Sequence, residues 1–195
     1  MEHIYNIAKF VHVISFVFMS IPLFNLIIVN ERALMGPSLN YETDRYFENI
    51  IKRGAIRCFV FQWTVFISGA VILTLGSGLT VIFSNWVLTV KTLILILLMS
   101  LLSYVHFLLQ PKIEKLLVSL SPGEQPPEDL PEKLLPFRIQ RKKLATICLF
   151  LVITAIILGV QTYTRFHPFV SIALIFFAAG FSIRANKSLI RFGWF

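Results

Sequence analysis

The sequence predicts an all-α, polytopic membrane helical bundle of about five transmembrane helices, with the N-terminus outside and the C-terminus cytoplasmic. Three observations carry that expectation. Hydrophobic residues make up 56% of the 195 positions and charged residues 14%, with a mean hydropathy of +0.78. A soluble domain averages about 25% charged residues, so this chain lacks the polar surface to solvate a globule. Its apolar runs are continuous and rich in Leu, Ile and Phe, and they reach the roughly 20 residues that a helix needs to cross a bilayer core. The alternating pattern of a transmembrane barrel is missing. Finally, one choice of parity places 15 of the 18 Lys and Arg residues on a single side, and that side is the cytoplasm by the positive-inside rule.

The first span is expected at about 7–29. Its run from Ile7 to Val29 is too long for a signal-peptide core and no small-residue cleavage site follows, so it reads as an uncleaved span. The cytoplasmic loop 30–56 contains Thr43 as a potential helix cap, followed by Phe47, Ile50, Ile51 and Gly54 at helical spacing, with Glu48, Lys52 and Arg53 on the other side. This predicts an interfacial helix feeding the second span, 57–83. In that span Ala70, Thr74 and Gly78 recur every four positions beside Gly69 and Gly76, a small-residue face suited to helix packing in lipid.

The third span is expected at 86–110. The cytoplasmic loop 111–143 carries Pro122, Pro126, Pro127, Pro131 and Pro136 with Gly123, a density that predicts an extended connector. Spans at 144–163 and 168–186 follow, the last with Ala178 and Ser182 as a second small-residue face. The whole chain, 1–195, reads as a single integral membrane domain. Cys58 and Cys148 both fall near the cytoplasmic side, with no CxxC motif, and are expected to be packing residues. The formal charge of +8 sits beside the spans, where it matches anionic lipid; the bilayer is the expected partner and nucleic acid is not.

Ionisable groups inside spans are costly and mark candidate sites. Lys91 lies about five residues into the third span, where it either snorkels to the headgroups or holds a buried acidic partner. His12 lies at the same outer depth, with Gln161, Tyr163 and His167 at that level too. It is either an interfacial hydrogen-bonding residue or a metal or haem ligand. His106 is fifteen residues beyond Lys91, about 22 Å along the axis and on the same face as Lys91 and Met99. It lies too near the cytoplasmic boundary to share an iron with His12. It is therefore either a ligand of a second site or an interfacial imidazole. Trp63, Trp86 and Trp194 fit interfacial belts. No nucleophile–base set, HExxH, phosphate loop or intramembrane carboxylate pair occurs, which leaves hydrolases, kinases and carboxylate-relay pumps without support.

The Lys9-Phe-Val-His12 opening resembles the K-x-x-H element of HemJ-type protoporphyrinogen oxidases and related CopD-like membrane proteins. Trp86-Val-Leu-Thr-Val-Lys91 resembles their third-span W-L-x-x-K element, followed by a Leu-rich run ending in Tyr104-Val-His106. The resemblance spans roughly residues 5–110. It departs at the exit of the first span, which here reads Asn25-Leu-Ile-Ile-Val-Asn30-Glu31-Arg32, and in lacking a Pro early in the second span. It implies a b-type haem, with His12 as axial ligand of the iron and Lys91 as second ligand or propionate partner, and a quinone or porphyrin as redox partner or substrate. The resulting expectation is a haem b-binding membrane oxidoreductase or electron-transfer protein, protoporphyrinogen oxidase-like, in a bacterial inner (cytoplasmic) membrane. The alternative, drawn from the small size and small-residue helix faces, is a cofactor-free accessory subunit of a larger respiratory or photosynthetic complex, contacting other membrane subunits or copies of itself.

Overall fold

The structure, a computed structural model, describes residues 2–34, 41–118, 127, 129–162 and 167–187. The segment 122–126, Tyr163, Arg165, Arg191 and Trp194 lie outside the described residues, as do the side chains of Asn30, Glu31, Arg32, Thr43 and Pro131. Among the described residues seven α-helices follow one another: α1 (Glu2–Leu34), α2 (Tyr41–Leu75), α3 (Val81–Ser84), α4 (Trp86–Tyr104), α5 (Gln110–Val118), α6 (Leu130–Gln161) and α7 (Pro168–Lys187). A single π-helical turn, Val105–Leu109, joins α4 to α5 without a break. Among the described residues five stretches are long and apolar enough to cross a membrane: Glu2–Ile27, Arg45–Leu75, Trp86–Leu117, Glu132–Gln161 and Pro168–Lys187. The chain is therefore an all-helical integral membrane protein.

The helices alternate in direction. Pro22 of α1 faces Gly54 of α2, Gln110 reaches Arg141 of α6, and Asn186 of α7 donates to Thr146 of α6 over 2.7 Å. The Lys- and Arg-rich segments consequently meet at one end of the bundle, called here the basic end. Helix α6 is central and packs against α1, α4 and α7, while α1 also packs along the length of α2. The main core interleaves Met19 and Leu23 of α1, Cys58 and Val65 of α2, Leu98 and Leu102 of α4, and Val152 and Leu158 of α6. Both cysteines are free and buried in this core, as expected of packing residues. On the far side of α6, Ala145 and Leu149 meet Ile27 and Ala185, and Ala178 and Ser182 of α7 are buried as the small-residue pattern predicted.

Both expected cytoplasmic loops are largely helical. The interfacial helix predicted to start at Thr43 is instead the beginning of α2, which runs unbroken from Tyr41 through Leu75. Its buried face is set by Glu48, Ile51, Ala55, Cys58, Gln62 and Val65, alternately three and four residues apart. Glu48 thus lies on the inward side, opposite to the expectation. Of the 111–143 region, the described residues up to Val118 and from Leu130 are helical and not extended: they belong to α5 and α6. Pro131 falls in the first turn of α6, where no N–H is required. Pro136 is carried inside the helix, whose first turns are held by Leu130 and Leu134 packing on Ile113 and Leu117 of α5.

The second span ends earlier than its hydropathy suggests. Helix α2 stops at Leu75, and Gly78 takes a left-handed φ of 87° so that its N–H can reach the Leu73 carbonyl at 2.7 Å. Gly78 is a turn residue, not a third member of a helix-contact series. Asn85 then caps α4, its side chain accepting from the N–H groups of Val87 (3.0 Å) and Leu88 (3.4 Å).

At the basic end a buried charge network binds three helices. The Glu48 carboxylate accepts from both terminal nitrogens of Arg141, at 2.5 and 3.0 Å, and from the Gln110 amide at 3.3 Å. Arg141 also donates to the Gln110 amide oxygen at 2.9 Å, and Arg138 lies 3.5 Å from Glu48. The side chain of Arg141 is fully buried and that of Glu48 5% exposed. The Lys52–Glu114 pair nearby, 3.1 Å apart, is open to solvent. Removing one member of a buried pair strands the other. Glu48→Gln is expected to cost about 3–5 kcal/mol of stability in SDS unfolding of the detergent-solubilised protein. Lys52→Gln is expected to cost less than about 1 kcal/mol. Equal losses would contradict the assignment of Glu48 as the buried anchor.

Candidate functional site

The site is assembled where α1 crosses the small-residue stretch of α2. The antiparallel packing of these helices brings His12 over Ser68-Gly69. The His12 Nδ1 lies 3.0 Å from the Val65 carbonyl and 3.1 Å from the Ser68 hydroxyl oxygen. The Ser68 hydroxyl donates to the Thr64 carbonyl at 2.5 Å, so its oxygen is free to accept. Both partners of Nδ1 are therefore acceptors. Nδ1 carries the proton, and in the neutral ring Nε2 keeps its lone pair for a donor or a metal. Gly69 makes room for the ring: a Cβ there would meet His12 Cε1 at 3.1 Å. Phe16, one turn along α1, stands edge-on to the imidazole at 5.5 Å.

Lys91 lies against a different helix. It is half-buried and turned onto α6, where a Cβ on Gly159 would lie 3.3 Å from its Nζ. Of the two orientations left open by the sequence, the inward one is adopted. His12 is thus held against α2, and Lys91, 79 residues further along the chain, against α6. His12 offers an aromatic nitrogen lone pair and Lys91 an amine turned into the bundle, the two kinds of group that a metal centre bearing an anion would use.

Of the other residues expected at this level, the described ones, Gln161 and His167, have other partners. Gln161 is hydrogen-bonded to Ser171 of α7, and His167 is exposed and stacked on Phe169 at 5.3 Å. His106 is at a second locus, on the π-helical turn, with its ring edge-on to Phe59 at 5.6 Å. Phe59 precedes Val65 and Ser68 by six to nine residues of α2, so the two imidazoles meet that helix at different levels. His106 Nδ1 is buried without a hydrogen-bond partner and lines a 20 Å³ cavity with Pro22, Cys58 and Gln110, about the room one water needs. A larger cavity of 440 Å³ opens between α1 and α2 at the basic end. Neither His12 nor Lys91 lines either cavity. Among the described residues no group of three or more His, Cys, Asp or Glu side chains could hold a metal ion.

The sequence reading did not anticipate Val65, Ser68 and Gly159 as neighbours of the site. The adjacent Ser68-Gly69-Ala70 was the available signal, since small residues on a helix admit a bulky side chain from a neighbour. Gly159 had none. No protein-family model matches the chain, nor does any curated protein or solved structure.

Gly69→Leu is expected to push the imidazole off the Val65 carbonyl and to cost about 1–3 kcal/mol of stability. Gly180→Leu, at a position where a Cβ meets nothing within 4 Å, is expected to be nearly neutral. Thermal unfolding in detergent compares them, and indistinguishable midpoints would show that the ring is not held against α2.

Proposed function

We propose that this chain is a haem b-binding redox protein of the membrane, in which His12 Nε2 would ligate the iron and Lys91 would either pair as the ammonium with a haem carboxylate or, as the neutral amine, supply a second ligand. The observation that carries the reading is the pair of acceptors at His12 Nδ1, which leaves the Nε2 lone pair of the neutral ring available to a metal. When bound, the haem would supply one-electron chemistry toward a quinone or porphyrin partner. The protein's own contributions follow from its geometry. The Val65 carbonyl and Ser68 hydroxyl fix the ring's tautomer and direction, and Phe16 shields its face from water. Lys91 supplies a positive charge in a low-dielectric region, where it acts strongly on a nearby carboxylate.

The resemblance of residues 9–12 and 86–91 to HemJ-type and CopD-like proteins supports the same centre. In this reading the basic end faces the cytoplasm of a bacterial cell, and His12 and Lys91 lie toward the outer leaflet.

A reduced-minus-oxidised visible spectrum of the detergent-purified protein tests it. Sharp haem b bands near one equivalent are expected, lost in His12→Ala and retained in His106→Ala, with both variants still membrane-inserted. A flat wild-type spectrum with no extractable haem overturns the reading and leaves the cofactor-free accessory subunit. Unaltered haem in His12→Ala rejects His12 as the ligand.

A further inference from the structure

The 440 Å³ groove between α1 and α2 has a polar mouth and an apolar floor. Arg53, Arg57 and Asn25 stand at its basic end, and Phe18, Ile21 and Phe61 line its deeper part. Phe18 and Asn25 are seven residues apart on α1, so the gradient from apolar to polar runs over about 10 Å. Pro22 sits midway, where it removes the N–H that would otherwise bond the Phe18 carbonyl, and faces Gly54. At Gly54 the helices approach closely, a Cβ there lying 3.8 Å from the Pro22 Cβ, and the groove lies beside that contact.

The charges of this groove are uncompensated. Arg138 and Arg141 are committed to Glu48, and Lys52 to Glu114. Arg53 and Arg57, one turn apart on the same face of α2, have no carboxylate partner among the described residues. Like charges at this spacing repel each other. A phosphate between them would relieve the repulsion and accept charge-assisted hydrogen bonds from both guanidinium groups. A free phosphate would leave the apolar floor of the groove empty; a phosphate attached to an acyl chain would fill both parts.

We propose that this groove binds one anionic phospholipid, its phosphate between Arg53 and Arg57 and one acyl chain against Phe18, Ile21 and Phe61. The site includes neither His12 nor Lys91 and does not depend on haem. The bound lipid would lie between α1 and α2 beside the Pro22–Gly54 contact.

The test is native mass spectrometry of the full chain in a non-ionic detergent, titrated with dioleoyl phosphatidylglycerol or dioleoyl phosphatidylcholine. Phosphatidylglycerol is expected to be retained about tenfold more tightly, the ratio that one well-made charged contact provides. The double variant Arg53→Gln, Arg57→Gln is expected to bind both lipids equally. The control Lys115→Gln, Lys143→Gln, which removes two exposed charges elsewhere, keeps the preference. Ile21→Trp, which fills the apolar part of the groove, is expected to weaken both lipids while leaving the charge pattern intact. The wild-type comparison needs no variant to fold. Equal retention of the two lipids by the wild type overturns the proposal. An equal loss in the lysine control assigns the effect to net charge and also overturns it. Displacement of phosphatidylglycerol by an equal concentration of inorganic phosphate makes the groove a free-anion site and rejects the lipid.

Discussion

A carboxylate enclosed by helices needs a counter-charge and hydrogen-bond donors, and Glu48 finds both in Arg141 and Gln110. That requirement ties α2, the start of α5 and α6 together at one level of the bundle. From this anchor the helices behave as parallel rails. Arg141 to Gly159 covers eighteen residues of α6, and Gln110 back to Lys91 covers nineteen of α5 and α4, about 27 and 28 Å at the α-helical rise. Glu48 to Ser68 covers twenty residues of α2, about 30 Å. Clamping α5 and α6 at the basic end therefore brings Lys91 level with Gly159. The π-helical turn at Val105–Leu109 lies on the longer rail.

The basic residues meet three different fates, and each has a physical cause. Arg138 and Arg141 are drawn inside because a carboxylate is there to receive them. Lys91 enters the bundle without such a partner among the described ion pairs, its stem lying against Gly159. Arg53 and Arg57 stay at the edge of a groove beside apolar side chains. The first group stabilises the fold, whereas the other two place charge where an anionic ligand can meet it. The two ends of the protein differ accordingly. One offers an imidazole with a committed tautomer and a single cation. The other offers paired guanidinium groups over an apolar trough.

Small residues decide where helices can admit something larger. Gly69 admits the His12 ring, Gly159 the Lys91 side chain, and Gly54 the Pro22 ring at the edge of the α1–α2 groove. In lipid, where burial of apolar surface does not drive helices together, such close approaches set which helix faces meet. The periodic Ala178 and Ser182 of α7 behave in the same way against α6, while Gly78 belongs to a turn instead.

The five spans, the helical class and the convergence of Lys and Arg on one end were legible in the sequence, because the bilayer imposes them on each segment locally. A stretch of about twenty apolar residues must close its own backbone hydrogen bonds, whatever its neighbours do. His12, Lys91 and His106 were legible as candidates for a related reason: a polar group inside such a stretch is conspicuous. Their packing partners were not. That His12 packs on Ser68-Gly69, Lys91 on Gly159 and His106 on Phe59 depends on helix rotation and axial register, which hydropathy does not encode. The inward turn of Glu48, the helical state of the Pro-rich approach to α6, and the Arg53–Arg57 groove likewise arise only when helices pack. A polar residue near a span's end is cheap in isolation, and its partner across the bundle determines whether it faces water, lipid or another charge.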